Sequence, residues 1–216
     1  MTKYTFLLFV VCCASCAPRL QIIDKPIEFG DERIKLTKAY MKEHYGIVQD
    51  NIEIEPKMVV VHWTAIPTFE GSFAAFEHTR LPESRTAIKG ASPLNVSIQF
   101  LVDQNGKVYR LMPENWMARH VIGLNHAAIG IENVGGTKGT PLTKAQFRAN
   151  VKLVKYLKRK YPIEYLLGHL EYTRFENSPL WKEKDGNYRT TKTDPGKDFM
   201  KNLRQKTRKL DFLPVP

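Results

Sequence analysis

Residues 58–63 (MVVVHW) constrain this chain most. Four consecutive apolar residues with no polar alternation leave no face for water, so the segment reads as a short strand covered on both sides. Residues 127–134 (AAIGIENV), closed by Gly135-Gly136, read as a second such strand, and residues 163–167 as a third. Residues 94–102 and 107–111 flank Gln104-Asn105-Gly106, and Asn-Gly between apolar runs predicts a hairpin because both residues tolerate positive φ. Helices are expected between these strands. Residues 69–79 form one that buries Phe73 and Phe76. A longer one spans residues 143–160, opened by the capping-box pair Thr143 and Gln146 after Pro141. Its expected buried stripe is Phe147, Val151, Val154 and Leu157, beside a basic stripe of Lys144, Arg148, Lys152, Lys155 and Arg159. Residues 196–210 form the terminal helix. The expected fold is α/β: a single domain with a mixed central β-sheet flanked by helices.

The N-terminal segment points to export. Lys3 precedes an apolar run over residues 6–14, shorter than the roughly 20 residues that a membrane-spanning helix needs. It matches the core of a signal peptide. All three cysteines lie here, and Cys13-Ala14-Ser15-Cys16 is similar to a bacterial lipoprotein cleavage box, with Cys13 where Leu is usual. On that reading residues 1–15 are removed and Cys16 is lipidated; an ordinary cleaved signal peptide is the other reading. No cysteine follows Cys16, which excludes a disulfide framework and cysteine metal ligands from the folded part. Residues 17–56 carry mixed charge, with one weak helix through Leu36, Ala39, Tyr40 and Tyr45. The expected layout is a signal peptide over 1–15, a tether and N-terminal extension over 16–56, and a catalytic domain over 57–216.

Thirty-three basic against 22 acidic residues leave a net charge of +11. That excess suits polyanionic surroundings such as nucleic acid, lipid headgroups or an acidic wall polymer, without choosing among them. An apolar content of 43% excludes wholesale disorder.

Two histidines sit at the ends of apolar strands: His62 after the first and His169 after the last. A titratable group there is expensive to desolvate and needs a partner. With Asp194 they would supply three ligands to a tetrahedral zinc, leaving the fourth position for water as in catalytic sites. From spacing alone, satisfied core or surface histidines are the favoured reading, since 107 residues separate the pair and no HExxH helix is present.

The strings VVVHWTA (59–65), VSIQFLVDQNGKVYRL (96–111), AIGIENVGG (128–136), GH (168–169) and KTDPG (192–196) together resemble the zinc-dependent N-acetylmuramoyl-L-alanine amidase family. That family includes phage lysozyme-amidases, peptidoglycan recognition proteins and bacterial anhydro-muropeptide amidases; the KTDPG and AIGIE segments are most similar to the last. The resemblance covers roughly residues 57–200, with the motifs in family order. It implies a Zn2+ cofactor held by His62, His169 and Asp194. It implies Glu132 as general base or water-positioning carboxylate and Lys192 as the cation that stabilises the oxyanion. The bond cut would be the amide between N-acetylmuramic acid and the L-alanine of the stem peptide.

The resemblance also implies a substrate contact at His120, where relatives carry Trp-His-Ala-Gly; here the flanking tryptophan is displaced to Trp116. Trp63 and Trp116 are candidate sugar-stacking residues, with buried core aromatics the rival reading. Glu132 as a sheet ion-pair partner and Lys192 as a surface lysine are the corresponding rivals. Ile98 and Gln99 depart from the family's hairpin strand, and 22 residues separate His169 from Lys192, more than in most relatives. This insert, with Trp181, Lys182, Lys184 and an Asp185-Gly186 turn, is expected to wall the substrate groove. The expected partners are peptidoglycan or muropeptides and, through Cys16, a membrane. The expected location is the cell envelope, at the outer membrane, facing the periplasm or the surface. A monomer is expected, with no nucleic-acid partner. A non-catalytic peptidoglycan-fragment binder of the same fold is the alternative, although such relatives typically lose a zinc ligand.

Overall fold

The computed structural model describes residues 20–216. The signal peptide over 1–15 and Cys16 lie outside the described residues. In chain order the elements are β1 (Ile22–Asp24), α1 (Asp31–Tyr45), β2 (Met58–Val61), α2 (Phe69–Glu77), α3 (Thr86–Lys89), β3 (Phe100–Val102), β4 (Val108–Arg110), β5 (Ala128–Asn133), α4 (Lys144–Lys160), β6 (Tyr165–Gly168) and α5 (Lys197–Thr207). The six strands form one sheet in the order β1-β4-β3-β5-β2-β6. The β3–β4 hairpin is antiparallel and every other pairing is parallel. The expected mixed sheet flanked by helices is what the chain forms.

The central strand β2 explains the arrangement. All four of its residues are 0% exposed. Alternate side chains point to opposite faces of a strand. Val59 and Val61 meet Leu153, Val154 and Leu157 of α4 and Met200 and Leu203 of α5. Met58 and Val60 meet Tyr40 and Met41 of α1 and Tyr172 and Phe175 beyond β6. Each such side chain contributes about 1.5–3 kcal/mol by leaving water. Both cores therefore clamp the same strand.

Residues 20–56, expected as tether and extension, are part of the fold. Strand β1 pairs with β4, and Arg110 grips Asp24 through two hydrogen bonds of 2.6 and 3.0 Å. Arg33 of α1 is fully buried and donates to the carbonyls of Phe76, Glu77 and His78 at 3.0, 2.9 and 2.5 Å. Those carbonyls end α2, where intrahelical donors run out, and Asn95 Nδ2 shares the His78 carbonyl at 2.8 Å. Helix α1 looked weak in the sequence because its buried positions include Arg33, Thr37 and His44 beside Tyr40, Met41 and Tyr45.

Helix α4 carries the expected capping box between Thr143 and Gln146. Its buried face is rotated from the expected one: Gln146, Ala149 and Asn150 are buried with Leu153, Val154 and Leu157, while Phe147 and Val151 are only partly covered. The polar residues face inward because they bond to the sheet. Gln146 donates to the Val134 carbonyl at 2.8 Å, Asn150 to Asn133 Oδ1 at 2.7 Å, and Asn133 to the His62 carbonyl at 3.0 Å. In α2, likewise, Phe76 is buried but Phe73 only partly. The strand expected over 94–102 is shortened to β3, because the Gln99 side chain takes the Gly130 N–H at 2.8 Å.

The Asn150–Asn133 bond ties α4 to the strand end that carries His62. An Asn150→Leu substitution should lower unfolding free energy by about 1–3 kcal/mol, because Asn133 Oδ1 loses its best donor while buried. Urea denaturation at neutral pH measures it, and an unchanged midpoint would contradict the role given to this bond.

Candidate metal centre

The parallel pairing brings the site together. Val61 pairs with Ile131 on one side and with Gly168 on the other. One residue further along each strand stand His62, Glu132 and His169. They lie at the carboxyl ends of neighbouring parallel strands, where open α/β sheets form their crevices. Asp194 reaches them from the segment before α5, whose position is fixed by the hydrogen bond from the Leu170 N–H to the Asp194 carbonyl at 2.9 Å.

His62, His169 and Asp194 are buried, with 1%, 7% and 7% exposure. His62 Nδ1 lies 2.9 Å from His169 Nδ1 and 3.2 Å from Asp194 Oδ2, and His169 Nδ1 lies 3.0 Å from the same oxygen. Two imidazole nitrogens and a carboxylate oxygen thus form a near-equilateral triangle. A tetrahedral zinc with bonds of about 2.0–2.1 Å has ligand–ligand edges of about 3.3 Å, so the donor set fits that ion after a slight expansion.

Electrostatics separates the two acids. Burial works against the Asp194 carboxylate, but the imidazoles of His169 and His62 beside it outweigh that cost and hold the group well below the usual carboxylate range. Among the described residues, Glu132 Oε2 is buried without a hydrogen-bond partner. Burial, then the Asp194 charge, push its carboxyl well above the ordinary value, with Lys192 and Arg85 pulling the other way. Burial, with His62 beside it, pushes the His169 imidazole down to about 4, so the ring is neutral and ligand-ready at neutral pH.

A cavity of about 280 Å³ opens onto these groups. Glu132, Lys192, His120 and Trp63 line it, and Trp63 also faces a neighbouring groove beside α4 and α5. Trp116 does not line it. The candidate sugar-stacking role for Trp116 is corrected: its ring packs 5.2 Å from Phe29, and its carbonyl accepts from Gln99 at 2.9 Å. His120 touches His62 as well as the cavity, with Nδ1 3.0 Å from His62 Nε2. His44 is buried and His126 largely so. His44 bonds Glu183 at 2.9 Å, and burial pushes His126 down to about 4.

The insert after His169 contributes Tyr188 and Thr190 to the cavity wall and packs down instead of standing off. Lys182 N–H donates to the Gly123 carbonyl at 3.1 Å, and Trp181 lies so close over Gly123 that a Cβ there would meet it at 2.6 Å. Sequence reasoning missed two arginines. Arg85 lines the cavity. Arg119, 2% exposed, donates to the carbonyls of Ile88, Ser92 and Leu94 and to Tyr188 Oη, stapling two walls together. No periodic pattern marks a buried arginine whose partners are loop carbonyls.

The lowered His169 value makes stability pH-dependent. The unfolded chain takes up a proton near pH 6.5 and the folded site only near 4, so this residue's contribution is full above 6.5 and drains away as pH falls to about 4. Urea midpoints of the metal-free protein at pH 7.5 and 4.5 should therefore converge in His169→Gln relative to the unsubstituted chain. An equal pH dependence in both proteins would contradict the neutral buried ring.

Comparison with known proteins agrees with this geometry. No curated protein matches the chain. Among solved structures, N-acetylmuramoyl-L-alanine amidase LysC from Clostridium intestinale URNW superposes with a TM-score of 0.54 at 18% identity, over 87% of this chain and 97% of that one. The Ph2119 endolysin from Thermus scotoductus MAT2119 bacteriophage Ph2119 gives 0.50 at 21% identity, over 86% and 98%. These likenesses show a shared fold. The family model Amidase_2, described as N-acetylmuramoyl-L-alanine amidase, matches residues 53–197. That span is more than half of the sequence and contains every residue of the triangle and its neighbours, and this chain belongs to the N-acetylmuramoyl-L-alanine amidase family.

Proposed function

We propose that this amidase hydrolyses the bond between N-acetylmuramic acid and the stem-peptide L-alanine with zinc held by His62, His169 and Asp194. The observation that carries the reading is the convergence of two Nδ1 atoms and one carboxylate oxygen beside the unpartnered Oε2 of Glu132. When bound, zinc supplies a Lewis acid that brings the pKa of water from 15.7 to about 7.

The chain's own groups do the rest. Glu132 Oε2 accepts the proton of the attacking water and returns it to the leaving amine of L-alanine. Its raised proton affinity, set by burial and the Asp194 charge, suits that exchange. Lys192 faces the same cavity, where its ammonium offsets the charge that gathers on the scissile carbonyl oxygen. The wall built from Tyr188 and Thr190 confines the stem peptide. Trp63 offers a flat apolar face to a sugar. Upstream, a lipid on Cys16 would hold the domain at a membrane of the cell envelope, with peptidoglycan as the substrate at hand and the chain as a monomer.

Mass analysis of products from purified sacculi and soluble muropeptides, with and without a chelator, tests the reaction. Free stem peptides beginning with L-alanine, lost on chelation, are expected; fragment binding without release would favour the non-catalytic alternative. Glu132→Gln should keep stoichiometric zinc and lose about 10²–10⁴ of the rate. Loss of metal in that variant would make Glu132 structural instead.

Fractionation tests the anchor. Cys16→Ser should move the protein from membrane to soluble fractions, whereas retention in membranes would place the anchor elsewhere.

A further inference from the structure

The two histidine ligands are held differently. His169 Nε2 is buried with no hydrogen-bond partner among the described residues. His62 Nε2 instead meets His120 Nδ1 at 3.0 Å, and the rings cross edge-on at 83°. The far nitrogen of His120, Nε2, lies 3.4 Å from the Ala128 carbonyl.

A carbonyl oxygen only accepts, so the His120 proton sits on Nε2. A neutral imidazole protonated there has its lone pair on Nδ1. That lone pair must receive a proton, and the atom facing it is His62 Nε2. His62 is then protonated on Nε2, which leaves its Nδ1 lone pair free for a metal enclosed with His169 and Asp194. The direction of one backbone carbonyl is thereby passed through two rings to the metal-facing atom. We infer that His120 is a positioning residue: it accepts the Nε2–H of His62 and so fixes the tautomer and ring angle with which His62 offers Nδ1 to the metal.

The fold is shaped to hold His120 there. Its N–H donates to Asn125 Oδ1 at 2.8 Å, and Asn125 is in turn bonded to Tyr45 Oη at 2.7 Å. The ring lies over Gly130, where a Cβ would come 2.9 Å from His120 Nδ1 and 2.1 Å from Ile98 Cδ1. Only glycine leaves room for this ring against β5. Ligating histidines commonly donate their second N–H to such a partner, and loss of the partner typically weakens metal binding about 10–100-fold. This role rests on the zinc reading above and replaces the substrate contact expected for His120.

The test measures metal binding and tautomer apart from turnover. Zinc affinity is read by competition with a chromophoric chelator in His120→Ala, His120→Phe and His120→Asn. Phe keeps the bulk without an acceptor, while the Asn amide oxygen can stand near the place of Nδ1. Affinity should fall about 10–100-fold in Ala and Phe and largely recover in Asn. In the 15N-labelled unsubstituted protein loaded with zinc, His62 should carry its proton on Nε2 and the metal on Nδ1. Unchanged affinity in Ala and Phe, with only KM for muropeptides raised, would return His120 to the substrate. A His62 proton on Nδ1 would overturn the inference even if the variants fail to fold. Unsubstituted protein that binds zinc with this His120 dependence yet releases no peptide sinks the amidase reading alone; protein that binds no zinc sinks both.

Discussion

The register between β2, β5 and β6 is the constraint on which this molecule depends. Val61 is hydrogen-bonded into a sheet between Ile131 and Gly168, so the residues that follow each strand emerge side by side. A one-residue slip in either pairing would turn alternate side chains to the opposite face and scatter His62, Glu132 and His169. Slippage is prevented by burial on both faces, because every side chain of β2 is tied into one of the two apolar cores. The expensive step, desolvating two imidazoles and two carboxylates, is thus carried by a rigid apolar frame.

Within that frame, similar groups acquire different chemistry from their surroundings. Asp194 receives two imidazole contacts and stays ionised, whereas Glu132 keeps a bare oxygen and holds its proton tightly. One acid is suited to ligation and the other to proton exchange. Pairs of titratable groups pushed apart in this way are a mark of acid–base sites. Lys192 and Arg85 supply the compensating positive charge from the cavity wall.

The walls are built from parts of the chain with little regular structure. Arg119 fastens the segment around Ser92 to Tyr188 of the insert, and His44 fastens α1 to Glu183 of the same insert. The N-terminal region therefore supports the groove indirectly: Arg33 closes the end of α2, and Tyr40 and Tyr45 back the segment that carries His120. Removal of residues 20–56 would expose the apolar face that Met58 and Val60 present to α1.

The apolar runs at 58–61 and 128–131, the Asn-Gly turn and the Thr143 capping box specify the sheet and its longest helix by local rules, and these were legible. The five motif strings, read together, carried His62, His169 and Asp194, which converge in the structure, and Glu132 beside them. Other features were not legible, because their determinants are pairings between distant residues. The rotated face of α4 follows from amide bonds to the sheet, which no count of apolar positions contains. The burial of α1 depends on an arginine whose acceptors are 43 to 45 residues away. Trp116 and His120 are four residues apart in a segment that suggested substrate contacts for both, yet the Trp116 ring packs against Phe29 away from the cavity, while His120 lines the cavity and bonds to His62. The chain's residue types set which atoms can bind a metal and move a proton; the pairing of strands and the packing of loops decided which of those atoms meet.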